Sequence, residues 1–289
     1  MNCRVNSLRD YVRGFVDLLE NGRALPLASA APSAQVEIAT DAPKLLIFSP
    51  HPDDEVIMGG LPLRLMRQCG WRVISVAVTQ GSNTARQVER WKELEQCCQS
   101  IGFELIQTCK NGLGNINEAS ANENGPDWQA SVQRITEILV EHKPRLVLFP
   151  HLADWNTTHI GTHLLLLQAL TASPADFLPY VCETEFWGPL QNPNFAVESS
   201  ASEVGDLISA LSYHIGEVQR NPYHLCLPAW MIDNVRRAEV VAGQGKAAPA
   251  MQFATLLRLS RWNGEALQSL REDGTILSLS DNPADLFPV

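Results

Sequence analysis

The stretch KLLIFSPHPDDE, residues 44–55, decides the architecture of this chain. Its first half carries four consecutive apolar residues, Leu45 to Phe48. A run that short and that continuous suits a strand buried on both faces. Its second half packs two prolines, a histidine, two aspartates and a glutamate into the turn that follows. Working outward, the short apolar run recurs at 72–79 (RVISVAVT), 103–108 and 145–150 (RLVLFP). Helical patterns fill the intervals at 55–69, 86–100, 128–142 and 158–172. Alternating strands and helices imply βαβ units and right-handed crossovers. The expected fold is therefore α/β and Rossmann-like, a mainly parallel sheet with helices on both faces. From about residue 179 an α+β C-terminal elaboration is expected, strand-like at 179–187 and 251–260 and helical at 203–219 and 228–241.

The ends of the chain read differently. Leu8, Val12, Phe15, Val16 and Leu19 recur at helical spacing, and Ser7 with Asp10 forms a capping box. Residues 1–22 are expected to be an amphipathic helix docked on the body, 23–42 an Ala/Pro/Ser-rich linker, and 43–289 a single domain. Acidic residues outnumber basic ones, 32 to 22, for a net charge of −10. That balance argues against a general binder of nucleic acid or anionic membranes. No apolar run reaches the length of a membrane span. Seven cysteines, an odd number with no CxxC, predict reduced thiols and a cytoplasmic location.

In open α/β sheets, ligands bind beyond the carboxyl ends of the strands. That rule selects the loops at 49–55, 79–86, 109–127 and 150–159. The first holds His51, Asp53 and Asp54. An imidazole and a carboxylate three residues apart are half a ligand set for zinc, and Asp53 between them could serve as a base toward a bound water. The plainer alternative is that Asp53 or Asp54 merely caps the next helix. The last loop holds His151, Asp154, Asn156 and, at i, i+4 on one helix face, His159 and His163. One of these histidines near the helix start could complete a three-ligand site. His163 could equally be a core histidine satisfied by a hydrogen bond. Arg86 and Arg90 could face an anionic substrate group or lie on a solvated helix face. Phe186 and Trp187 could wall a sugar cleft or pack in the core. His214 is expected to be structural, and Arg64 and Arg67 solvated.

The string SPHPDDE after a buried strand resembles the signature of the PIG-L/LmbE-like family of zinc-dependent N-deacetylases. Thr79-Gln80-Gly81 with Arg90 and Glu93 resembles a second family segment, and Leu207 to Gln219 a late family helix. The resemblance spans about residues 44 to 260. It implies one zinc ion per chain held by His51, Asp54 and His159, with Asp53 as general base. It also implies a water activated by that zinc attacking an amide carbonyl. The chain departs from the family at Asn156, where a histidine is usual. An asparagine amide can donate to an oxyanion but cannot deliver a proton. Asp53, His163 or His151 would then have to protonate the leaving amine.

The expected function is a zinc-dependent deacetylase. Its expected partner is a small-molecule substrate, an N-acylated amino sugar or glycoconjugate, and a homo-oligomer is compatible with that reading. The alternatives are an amidase acting on a non-acetyl amide or thiol conjugate, and a non-catalytic binding or scaffold protein retaining the fold.

Overall fold

The computed structural model describes residues 7–29, 36–242, 250–270 and 273–288. Part of the expected linker, 30–35, and the first six residues lie outside them.

The strands are β1 (Lys44–Ser49), β2 (Arg72–Ala77), β3 (Glu104–Gln107), β4 (Leu146–Pro150), β5 (Tyr180–Thr184), β6 (Phe195–Ser199), β7 (Phe253–Trp262), β8 (Leu267–Ser269) and β9 (Thr275–Leu277). The helices are α1 (Leu8–Gly22), α2 (Asp54–Ile57), α3 (Gly60–Cys69), α4 (Gln87–Ile101), α5 (Glu118–Glu123), α6 (Pro126–His142), α7 (Thr157–Ala172), α8 (Ala201–Leu211), α9 (Ile215–Arg220) and α10 (Tyr223–Ala242). They build one sheet in the order β3-β2-β1-β4-β5-β7-β6-β9, with β8 pairing to β7. The five strands from β3 to β5 are parallel. β7 then runs antiparallel to both β5 and β6. The C-terminal elaboration thus extends the parallel sheet.

The apolar run in β1 explains why helices cover both faces. Side chains alternate across a strand. Leu45 and Ile47 join a core with Leu61 and Leu65 of α3 and Leu94 and Cys97 of α4. Leu46 and Phe48 join a separate core with Ile135 and Leu139 of α6 and Leu165 of α7. All four are fully buried. Truncating any one to Ala would cost about 2–5 kcal/mol.

Several boundaries differ from expectation. The expected helix 55–69 is two helices, α2 and α3, broken at Met58 and Gly59. Gly59 has φ +94, and a Cβ there would lie 1.7 Å from Thr255 Oγ1, so β7 passes too close for a continuous helix. The expected helix 203–219 breaks at Ser212–His214, where His214 turns inward. Strands β8 and β9, of three residues each, and helix α5, of six, are too short to announce themselves by periodicity, and β6 was not expected. The α1 capping box is present, but no residue of that helix is buried, so the expected docking of its apolar face is corrected. Arg64, expected to be solvated, is fully buried. Its guanidinium donates to the carbonyls of Glu198, Leu277, Ser278 and Asp281, which explains how a buried cation is tolerated there.

Candidate active site

The order 3-2-1-4-5 places the switch point of the parallel sheet between β1 and β4, because the chain crosses to opposite sides from these two strands. A crevice opens at their carboxyl ends. The loop after β1 delivers His51, Asp53 and Asp54. The loop after β4 delivers Asn156 and, in the first turn of α7, His159.

His51 Nδ1, His159 Nε2 and Asp54 Oδ2 converge. The ring nitrogens are 3.3 Å apart. Asp54 Oδ2 lies 3.3 Å from His159 Nε2 and 3.5 Å from His51 Nδ1. His159 is fully buried, its ring edge-on to Phe186 with centroids 4.9 Å apart. Asp54 also accepts the His51 backbone N–H at 2.9 Å, which closes the turn and aims the carboxylate. Burial would raise the Asp54 pKa, but the adjacent His159 and His51 outweigh it and hold the carboxyl well below its usual range. Burial pulls the His159 pKa down and Asp54 more than restores it. Two imidazole nitrogens and a carboxylate oxygen facing one another are three lone-pair donors at one point. A divalent cation satisfies all three, and N₂O with open positions is a donor set used by catalytic zinc. The residues present fit a metal.

Asp53 stands beside this group and is not a helix cap. It occupies the position before α2, yet its side chain makes no capping bond. Tyr223 Oη donates to Asp53 Oδ2 at 2.6 Å, and the Arg90 guanidinium lies 3.9 Å away. The backbone pays a local cost for this placement: φ is +118, in a region that non-glycine residues avoid. Glu55 Oε2 holds it there by accepting the Asp53 N–H at 2.9 Å. Glu55 Oε1 in turn accepts from His214 Nε2 at 2.7 Å, with both side chains fully buried. Burial and the neighbouring Asp54 charge push the Asp53 pKa up to about 7, against the opposing pull of His214, Arg90 and Tyr223.

Asn156 caps α7, its Oδ1 accepting the Thr158 N–H at 2.9 Å, and it also lines the cleft. The cleft is about 420 Å³. Its floor is the His51–Asp53–Asp54 turn. One wall is apolar, from Ile57, Leu211, Leu227 and Trp230; another carries Arg90, Glu217 and Arg220. Phe186 and Trp187 form the rim, with Trp187 56% exposed. Arg86 and Arg90 are not on a solvated face: both pair with Glu217, at 2.9 Å and 3.8 Å.

The other histidines stay out of the cleft. His163 Nδ1 donates to the Pro150 carbonyl at 3.0 Å, and burial pushes its pKa down to about 4. His151 Nε2 donates to the Gly188 carbonyl at 2.8 Å. His214 is fully buried and pairs with Glu55.

Sequence reasoning missed Tyr223, which lies 170 residues from the Asp53 it holds. It also gave no role to Glu55 or Asp154, though both stand within the two ligand-rich strings.

Comparison with known proteins bears on the same region. Residues 46–170 match the family model described as PIG-L, GlcNAc-PI de-N-acetylase. No curated protein matches the chain. Among solved structures, N,N'-diacetylchitobiose deacetylase from Pyrococcus horikoshii is similar over 89% of this chain and 94% of its own, at 16% identity and TM-score 0.56. The 4-carboxy-2-hydroxymuconate hydratase from Pseudomonas putida is similar over 75% of this chain and 95% of its own, at 16% identity and TM-score 0.57. Teicoplanin deacetylase in its zinc-inhibited form is similar over 76% and 97%, at 16% identity and TM-score 0.53. At these identities the likeness is one of fold. No described helix is long and apolar enough to cross a membrane. The family match covers both ligand-rich turns and the four parallel strands around them apart from the first two residues of β1, so residues 46–170 of this chain are similar to the PIG-L family.

Proposed function

We propose that this chain is a metal-dependent amide hydrolase that removes an acyl group, acetyl in the simplest case, from the nitrogen of an amino sugar or related small conjugate. The observation that carries the reading is the convergence of His51, Asp54 and His159 with Asp53 beside them at the floor of a cleft. The family match and the two deacetylases of the same fold support it.

His51, Asp54 and His159 would hold one ion per chain, zinc by donor type. Such an ion would acidify a water and polarise the amide carbonyl. Asp53 takes the water's proton: Tyr223 fixes Oδ2, and Oδ1 is left to act as the base. The Asn156 amide donates to the oxygen on which charge develops. Asparagine cannot protonate the leaving amine, so Asp53 returns the proton it took. The Phe186 and Trp187 rim offers a stacking surface to a sugar ring, and the wall of Arg90 and Arg220 offers donors to its hydroxyls.

The hydratase of the same fold motivates a second reading, in which the same centre adds water to an activated carbon–carbon double bond. One experiment separates the two. Purified protein loaded with zinc is given a panel of N-acetylated amino sugars and a panel of unsaturated carboxylic acids. Acetate release that fails in His159→Ala supports the hydrolase. Hydration of an unsaturated acid without acetate release replaces it with the second reading. Turnover of neither panel, with zinc bound, favours a binding protein.

A further inference from the structure

Asp154 is ionisable, completely buried, and outside the roles given to Asp53 and Asn156. Its Oδ1 accepts the Asn156 N–H at 2.8 Å and faces His159 Nδ1 at 3.7 Å. Its Oδ2 accepts the N–H of Trp187 at 3.1 Å and of Gly188 at 3.4 Å. One carboxylate thus joins the β4–α7 loop, the His159 ring and the β5–β6 loop that brings Phe186 and Trp187 to the cleft. His159 Nδ1 is buried and has no hydrogen-bond partner among the described residues. The polar group it confronts is Asp154. The four residues from Asn156 to His159 contain no carboxylate of their own.

Resting on the metal-dependent reading, we propose that Asp154 is the positioning residue of His159. It keeps the proton on Nδ1, so that the Nε2 lone pair points toward His51 and Asp54. A ligating histidine usually donates its other N–H to a carboxylate or carbonyl, which fixes the tautomer and the ring angle. A buried carboxylate needs donors. Three backbone N–H groups supply part of that need at Asp154, and His159 Nδ1, 3.7 Å from Oδ1, is the side-chain nitrogen that faces the same carboxylate. The same carboxylate ties the ligand to the Trp187 rim, so the metal centre and the substrate rim share one anchor.

The test measures binding of zinc and cobalt(II) alone, by competition with a chromogenic chelator, so it needs no substrate. Loss of such a partner typically costs 10–100-fold in metal affinity. Asp154→Asn keeps an oxygen for the backbone donors and loses the charge; it should bind both ions about 10–100-fold more weakly. His151→Phe is the control for the loop. It removes the other side-chain tie to Gly188, the 2.8 Å bond from His151 Nε2, and leaves the Asp154 carboxylate in place. Its metal affinity should stay near that of the wild type. In the zinc-loaded wild type, nitrogen-15 spectra should place the His159 proton on Nδ1. Unchanged affinity in Asp154→Asn overturns the proposal. So does an equal loss in His151→Phe, which would mean that Asp154 acts only through the loop, or a His159 proton on Nε2. A wild-type protein that binds neither ion overturns the metal-dependent reading itself, an outcome distinct from these.

Discussion

Asn156 holds two positions at once, and a pair of substitutions pulls them apart. Its backbone (φ −88, ψ 124) has the extended geometry of a helix N-cap, and its Oδ1 accepts the Thr158 N–H at 2.9 Å. Its side chain also lines the cleft, and with Oδ1 committed to the cap the amide nitrogen is the group that can meet a substrate. Losing an N-cap costs about 0.5–2 kcal/mol. For a chain of this size each kcal/mol lowers the melting temperature by about 2–4 °C. Losing a preorganised oxyanion donor costs about 2.7–4 kcal/mol of transition-state stabilisation, or roughly 10²–10³ in kcat. Asn156→Ala should show both losses. Asn156→Ser keeps a good capping oxygen and removes the amide donor, so its melting temperature should stay within about 2 °C of the wild type. Its kcat should still fall by roughly 10²–10³. Scanning calorimetry and acetate release from an N-acetylated amino sugar read the two quantities separately. Normal turnover in Asn156→Ser would refute the oxyanion role and leave Asn156 a cap alone.

Three further substitutions test the rest of the site. Elemental analysis should find about one zinc per chain in the wild type and most of it gone from His159→Ala; undiminished metal would remove His159 from the ligand set. Asp53→Asn should retain its zinc and lose about 10²–10⁴-fold in kcat, so a fully active variant would place the base elsewhere. His163 gives a stability test that is independent of catalysis. Its pKa is pushed down to about 4 by burial, against about 6.5 in an unfolded chain. Below 6.5 the unfolded chain takes up a proton that the folded one refuses, so stability falls as pH drops toward 4, by up to about 3 kcal/mol. Urea denaturation of the wild type and His163→Gln at pH 7 and pH 4.5 should show the difference; parallel slopes would show that His163 is already charged in the fold.

The parallel half of the sheet was legible because each strand is a short, continuous apolar run. A strand covered on both faces needs no alternation, and Leu45 to Phe48 supply both cores. The C-terminal part was harder. β8 and β9 hold only three residues each. The breaks at Gly59 and at Ser212–His214 are imposed by contacts with Thr255 and Glu55, far away in the chain. Tertiary contact decided those boundaries, and a local window does not contain it. α1 shows the reverse: its capping box and apolar stripe were both readable, but an apolar stripe does not say what will cover it, and the described structure leaves it exposed. The Arg64 reading failed for a related reason. A helix position next to charged neighbours looks solvated until four carbonyls from residues 198–281 close over it.

The site divides along the same line. His51, Asp54 and His159 converge although they lie in two separate strings, 51–54 and 156–159, because the sheet switch point brings the loops after the adjacent strands β1 and β4 together. A turn holding a His and two Asp residues is conspicuous in sequence. The groups that make this turn usable come from elsewhere. Tyr223 orients Asp53, His214 holds Glu55, and Glu55 in turn fixes the strained Asp53 backbone. His214 and Tyr223 both lie beyond residue 170, outside the segment that matches the family model. So do Phe186, Trp187, Leu211, Leu227 and Trp230, which make the rim and the apolar wall. On the proposed reading the reacting groups lie at 51–54 and 156–159, while the groups that orient them and those that wall the cleft come from after residue 180. Changes at Phe186, Trp187, Leu227 and Trp230 should alter which substrate is turned over, while changes at 51–54, 156–159, His214 and Tyr223 should alter whether anything is.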